Sequence, residues 1–258
     1  MLISKEDILK YLSNVPPVPE NVKKALEYLN KGDIKNAAIE AEKDLILKKQ
    51  IEKVVNSAYY SLNNEVNDML QLFTLLGMEK SRSLIYSYLV SLLEPKSWKI
   101  FKINFFDFQG AFMKKYEEAM VLEYDEKTYK KYAEIGAIVP AAVCVCDSLL
   151  GDKKEQVNIV MSSVPLEYST LIKRMSGFSL FELAGKIAFL WGLDEEKIEI
   201  LKKSECKKCS EKMPALIHFV FFALVSRKEF VDINSLIEFN PQCIELIPKT
   251  YERMINDS

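Results

Sequence analysis

A chain of 258 residues with 49% apolar and 28% charged side chains can bury a core without staples and has the composition of a globular protein. Its 35 basic and 37 acidic residues are interleaved and leave a net charge of −2, which excludes a basic nucleic-acid footprint and an acidic disordered tail. Eight glycines are little material for phosphate loops or hairpins, so the expectation is all-α, and a single histidine, His218, removes most acid/base and metal constellations.

The chain starts Met-Leu-Ile-Ser-Lys, without the charged, apolar and cleavable order of a secretory signal, so a cytoplasmic location is expected. Ser4 and Asp7 have capping-box spacing ahead of Ile8, Leu9 and Leu12, which predicts a helix over about 5–13. Val15-Pro16-Pro17-Val18-Pro19 must be extended, since each proline fixes its own φ and restricts its predecessor. Val22, Ala25, Leu26 and Leu29 then recur at helical spacing until Lys31-Gly32-Asp33, which ends one helix and caps the next through Ala37, Ala38 and Ala41. The stripe Leu45, Leu47, Ile51, Val54 and Val55 runs into Asn56-Ser57, a polar pair of the kind that marks a helix end or an inter-helix contact. After Val66, Met69, Leu70 and Phe73, Gly77 is a natural helix stop, and a further helix runs from Met78 to Leu93 ahead of Pro95.

Trp98, Phe101, Phe105, Phe106 and Phe108 crowd one short segment that is expected to thread between lobes as an aromatic plug. Helices are predicted at about 109–124, 126–150, 153–163, 167–175, 179–191, 194–205 and 211–226, with Pro140 kinking or splitting the second of these. The longest apolar stretch, Pro214 to Val225, is shorter than the roughly 20 residues that span a bilayer and is read as a buried core helix, with no membrane partner. Two short helices broken at Pro241 and Pro248 complete the chain. The expected organisation is an N-terminal bundle of five or six helices over 1–106, a second helical lobe over 107–226 and a helical extension over 227–258.

Four landmarks in order, Val15-Pro16-Pro17-Val18-Pro19, Glu42-Lys43-Asp44-Leu45, Asn56-Ser57-Ala58-Tyr59-Tyr60 and Leu75-Leu76-Gly77-Met78-Glu79, resemble the bacterial HDOD family. Leu45 stands where that family usually has proline. Gly177 to Gly185 and Trp191-Gly192-Leu193-Asp194-Glu195 are similar to its second-half signature, with Leu180 in place of a histidine, so the resemblance covers about 8–210. It implies a degenerate relative of the HD phosphohydrolases, whose His and Asp side chains hold divalent metals. The second lobe is then HD-domain-like, and its vestigial pocket is assigned to Cys146, Asp147, Leu180, Trp191, Ser204 and Glu205.

An HD-type centre needs several imidazoles and carboxylates converging on a metal, and one histidine cannot supply them. His218, in the apolar run Ile217 to Phe222, is read as a core residue bonded to a carbonyl. Neither a Walker loop nor a nucleophile elbow is present. The expectation is therefore a non-enzymatic regulatory module without a cofactor, which binds a protein partner of a signalling pathway and no nucleic acid. The alternative is a binder of a nucleotide second messenger in the degenerate pocket.

Five cysteines, an odd and scattered count, suit reduced thiols better than a disulfide framework. Cys144 and Cys146 lie in an apolar helix and are read as small hydrophobes. Cys206-Lys207-Lys208-Cys209 is a candidate thiol pair whose lysines would lower the thiol pKa, and the four sulfurs together could close a zinc site. A plain structural role is favoured for all of them.

Overall fold

The computed structural model describes residues 4–13, 15, 17–56, 65–95, 98–99, 105–163, 173–174, 177–225 and 240–256. Its elements are α1 (Lys5–Ser13), α2 (Glu20–Asn30), α3 (Ile34–Ala41), α4 (Leu45–Val55), α5 (Met69–Ser91), α6 (Phe105–Glu123) and α7 (Glu126–Ile138). They continue as α8 (Ala141–Gly151), α9 (Lys154–Ser163), α10 (Leu180–Leu190), α11 (Glu195–Lys203), α12 (Lys212–Val225), α13 (Cys243–Leu246) and α14 (Pro248–Asn256). The fold is all-α, with no strand among the described residues. It divides into two compact units, Pro16–Leu92 and, from both sides of it, Met1–Val15 with Leu93–Ser258. These boundaries differ from a division at 106/107 because α1 groups with the helices that follow Leu93.

In the unit Pro16–Leu92, α2 packs on α3, and α2, α3 and α4 all pack on α5. The turn between α2 and α3 needs Gly32 at φ +79°, and Asp33 then caps α3 by accepting from the Asn36 amide at 3.0 Å. Asp44 caps α4 with one oxygen, taken by the amides of Ile46 (3.1 Å) and Leu47 (3.0 Å), and with the other accepts from the Tyr88 hydroxyl of α5 at 2.8 Å. Burial, and after it the Asp44 carboxylate, raise the Tyr88 pKa. Leu45 therefore occupies the first helical position, where a proline is tolerated, and at 70% exposure it packs on little. Asn56 ends α4 and bonds the backbone of Val66 in both directions at 2.9 Å, closing the connection to α5. Within α5 the helix breaks at Gly77 (φ 75°, ψ 167°), and Ser81 Oγ donates to the Gly77 carbonyl at 2.7 Å. The core is Val22, Leu26, Leu29, Leu47, Ile51, Leu72, Phe73, Ile85 and Leu89, each worth about 1.5–3 kcal/mol when fully buried.

In the other unit, α6 packs on α7, α12 and α14, while α10 packs on α7, α8 and α11. Pro140, lacking an N–H, splits the predicted long helix into α7 and α8. The combined run Glu126–Gly151 is long and apolar enough to cross a membrane, yet 89% of its most apolar 18-residue stretch is buried inside the fold, where it forms part of the core. Phe108, Phe112, Phe181 and Phe221 meet edge to face with centroids 5.7–5.8 Å apart around Phe221. Tyr116 extends this cluster and donates to the Tyr132 carbonyl at 3.0 Å, and a Cβ on Gly136 would meet its ring at 2.5 Å. Phe105, Phe106 and Phe108 thus lie in α6 rather than in a threading plug, with Phe108 buried in the helical core, while Phe101, the predicted helix at 167–175 apart from Lys173 and Arg174, and the Ser57–Tyr60 part of the third landmark lie outside the described residues. The tail carries α13 just after Pro241 and α14 from Pro248, as the prolines predict.

Candidate functional site

Asp147 sits on α8 and is fully buried. The backbone N–H of Lys99 donates to both of its oxygens, at 2.9 and 3.2 Å, which satisfies a carboxylate that burial would otherwise penalise. One turn on, Gly151 leaves room for the Lys99 stem, since a Cβ there would fall 2.5 Å from Lys99 Cδ, and the Lys99 ammonium reaches Asp152 at 3.1 Å. Asp147 and Gly151 therefore seat Lys99 on α8. Cys144 and Cys146 are buried on the same helix, and burial raises both thiols, as expected of small core hydrophobes.

Leu180 and Trp191 mark the two ends of α10. Ser179 and Glu182 form a reciprocal capping box at its start, and Leu180 follows as the first, fully packed helical residue. Trp191 caps the other end, buried, with an Nε1 that has no hydrogen-bond partner. Gly192 then adopts φ +77°, Leu193 donates back to the Ala188 carbonyl at 3.0 Å, and Asp194 caps α11 through the Lys197 amide at 3.0 Å. Gly185 lets the two helices approach, because a Cβ there would meet Lys202 Cγ at 2.9 Å and the Ile198 carbonyl at 3.4 Å. The second-half signature thus describes a helical hairpin, with each of its small or polar residues placed by backbone geometry.

Ser204 ends α11, buried, and donates its hydroxyl to Ile200 O at 2.8 Å. Its carbonyl lies 2.9 Å from His218 Nδ1, and a carbonyl can only accept, so Nδ1 carries the proton and Nε2 accepts from the Asn240 amide at 3.3 Å. The lone histidine is a bonded core residue that ties α12 to the end of α11 and to the start of the tail. Glu205 points the other way, to Lys173 at 3.0 Å and Lys207 at 3.5 Å. It lines an open groove with Lys202, Lys203, Cys206, Lys208 and Glu211.

The thiols depart from the sequence reading. Cys209 is joined to Cys243 of α13, 34 residues on, in a disulfide with Cα atoms 5.4 Å apart, and Cys206 lies beside them as a free, buried thiol. Burial, and after it Glu211, push the Cys206 thiol up to about 12 rather than down. The lysines fail to lower it because Lys202, Lys203 and Lys207 are each engaged by a carboxylate, from Glu199, Glu211 and Glu205 respectively. Cys243, Asn240 and Lys99 escaped the sequence reading, and only the odd cysteine count pointed to the first.

An HD-type divalent metal does not fit the donors at the positions that the resemblance assigns. Asp147 is engaged by Lys99, Leu180 brings no donor atom, and Ser204 spends its hydroxyl on its own helix and its carbonyl on His218. These residues are distributed over α8, the two ends of α10 and the end of α11, each with its own structural task.

The family model described as HDOD domain matches residues 15–101 of this chain. That span holds the proline segment, Asp44, Asn56 and Gly77, so the resemblance is borne out there, while the hairpin signature lies beyond the match. No curated protein sequence matches the chain. Among solved structures, an HDOD domain protein from Geobacter sulfurreducens is similar at TM-score 0.69 and 14% identity, covering 97% of this chain and 91% of its own. A candidate signal transduction protein from Marinobacter aquaeolei is similar at TM-score 0.71 and 13% identity, over 98% of this chain and 61% of its own. A candidate phosphohydrolase from Shewanella amazonensis reaches TM-score 0.60 and 14% identity, over 96% and 93%. At these identities the likeness is one of fold.

Proposed function

We propose that this chain, HDOD-type over residues 15–101, is a non-catalytic signalling module of the cytoplasm that acts by binding another protein. One observation carries the proposal. The carboxylate and the imidazole that an HD-type centre would need are spent on the scaffold, Asp147 on the Lys99 amide and His218 between Ser204 and Asn240. The description of the Marinobacter aquaeolei neighbour as a candidate signal transduction protein supports the signalling half. Exposed apolar pairs, Leu45–Ile46 on α4 and Phe189–Leu190 on α10, are the kind of surface a protein partner covers, with Leu45 at 70% and Phe189 at 67% exposure.

A second reading rests on the groove beside Glu205, where Lys202, Lys203, Lys207 and Lys208 gather, since ammonium groups are what a phosphorylated signalling nucleotide would meet. The two readings part in a pair of experiments. Affinity capture from the native host with the full chain should recover a stoichiometric protein that Phe189→Asp releases, while calorimetry with cyclic dinucleotides and guanosine polyphosphates gives no saturable heat. Saturable nucleotide binding lost in Lys203→Ala, Lys208→Ala would sink the first reading in favour of the second. Turnover of phosphoesters with Mn²⁺, Mg²⁺ or Fe²⁺ would sink both.

A further inference from the structure

The segment after α11 and the start of the tail converge through sulfur. The Sγ atoms of Cys206, Cys209 and Cys243 all lie within 4.8 Å of one another, two of them buried and one half-buried. Three sulfurs at Zn–S bonds of about 2.3 Å around one tetrahedral ion sit roughly 3.8 Å apart, a spacing that the cluster can adopt once the bond between Cys209 and Cys243 is reduced and those two sulfurs separate. Its backbone is fixed from outside the cluster. Cys206 holds φ +49°, a conformation seldom adopted by residues other than glycine, and this folds the Cys-x-x-Cys segment back until Cys209 Sγ is 3.9 Å from Cys206 O. Asn240 Nδ2 donates to that same carbonyl at 2.6 Å, the Asn240 amide is held by His218, and the Asn240 carbonyl accepts from the Cys243 amide at 3.0 Å. The two sulfur-bearing segments are thus registered against each other by bonds that do not involve sulfur.

We propose that Cys206, Cys209 and Cys243, in their reduced form, are a binding site for a zinc ion, with water in the fourth position. Thiolates select borderline-soft cations such as zinc over magnesium or calcium, and three protein ligands plus water is an established coordination for zinc. Cys144 and Cys146, which spacing alone would also offer, belong to the core face of α8 and take no part. The disulfide between Cys209 and Cys243 uses two of the same sulfurs, so metal and disulfide are alternative states of one cluster.

The test uses the full chain, reduced with a phosphine under argon, loaded with one equivalent of Zn²⁺, desalted and analysed for metal and free thiols. The expected result is one zinc per chain, falling below a tenth of that in Cys206→Ser and in Cys243→Ser and unchanged in the Cys144→Ser, Cys146→Ser double variant. Because a serine variant could fail to fold, Co²⁺ is also loaded into the unaltered protein, where sulfur-to-cobalt charge-transfer absorption is expected in the near ultraviolet. Zinc that washes off, zinc retained in the Cys243→Ser protein, or cobalt bound without the sulfur band each overturns the proposal.

Discussion

Asp147 separates two accounts of this protein, because the same carboxylate is a metal ligand in one and a backbone anchor in the other. Replacing it by alanine removes the acceptor of the Lys99 amide, whose bonds of 2.9 and 3.2 Å share a single N–H. A hydrogen bond to a charged group contributes about 1.5–3 kcal/mol, and the desolvation relieved by removing a buried carboxylate offsets part of it, so Asp147→Ala is expected to cost about 2 kcal/mol. For a chain of this size each kcal/mol moves Tm by about 2–4 °C, which gives a fall of roughly 4–8 °C. Asp147→Asn keeps an uncharged acceptor and should cost about 1 kcal/mol, in line with a neutral bond. Urea titrations followed by circular dichroism measure the loss, and trypsin cleavage near Lys99 should quicken in the alanine variant as the anchored chain is released from α8. An Asp147→Ala protein as stable as the parent, with unchanged cleavage near Lys99, would refute the anchor. Phosphoesterase turnover that disappears in this variant would restore the ligand.

Glu123 is buried at the end of α6, where Lys212 (2.8 Å) and the Thr250 amide (2.9 Å) reach it from α12 and α14. Burial alone would raise its pKa, but the Lys212 ammonium and the Thr250 N–H outweigh that, and the folded value lies below the usual 4.5. A lowered folded pKa contributes stability above the unfolded value that is lost as pH falls through the folded one, so Glu123→Gln should cost about 1–2 kcal/mol at pH 7, with Lys212 partly screened by water, and flatten the decline in urea midpoint below about pH 4. Gly77→Ala forces a side chain into φ 75°, ψ 167° and should cost about 1–3 kcal/mol, whereas Gly110→Ala, inside α6 with open space around its Cβ, should gain about 0.5–1 kcal/mol; thermal melts of the two variants should move in opposite directions.

The elements were legible wherever a local rule sets the backbone. Asp33, Asp44, Ser179 and Asp194 are short polar residues ahead of apolar periodic runs, and each accepts from an amide two or three residues on. Gly77 was legible as a helix stop and Pro140 as a splitting point, because both act through their own φ and N–H. The grouping of α1 with the later helices was not legible. A short amphipathic helix displays a face without naming its cover, and the helices that α1 groups with come only after the whole Pro16–Leu92 unit.

The candidate site was legible as a set of residues and illegible as a set of contacts, for a reason that lies in electrostatics. A resemblance carries over positions, and positions corresponding to those that share a metal in the HD phosphohydrolases are expected to share a pocket. A buried carboxylate, however, requires a cation or donors, and any nearby N–H satisfies that need as well as a metal does. Asp147 takes the amide of Lys99, 48 residues away, in a segment whose sequence carries no signal of the partnership. The same holds for Ser204 and His218, which spacing alone would leave unconnected and which bond through a main-chain carbonyl that every residue type possesses. Backbone partners leave no imprint on side-chain identity, so the retained Asp147 looks functional in the sequence while its geometry is that of a structural anchor.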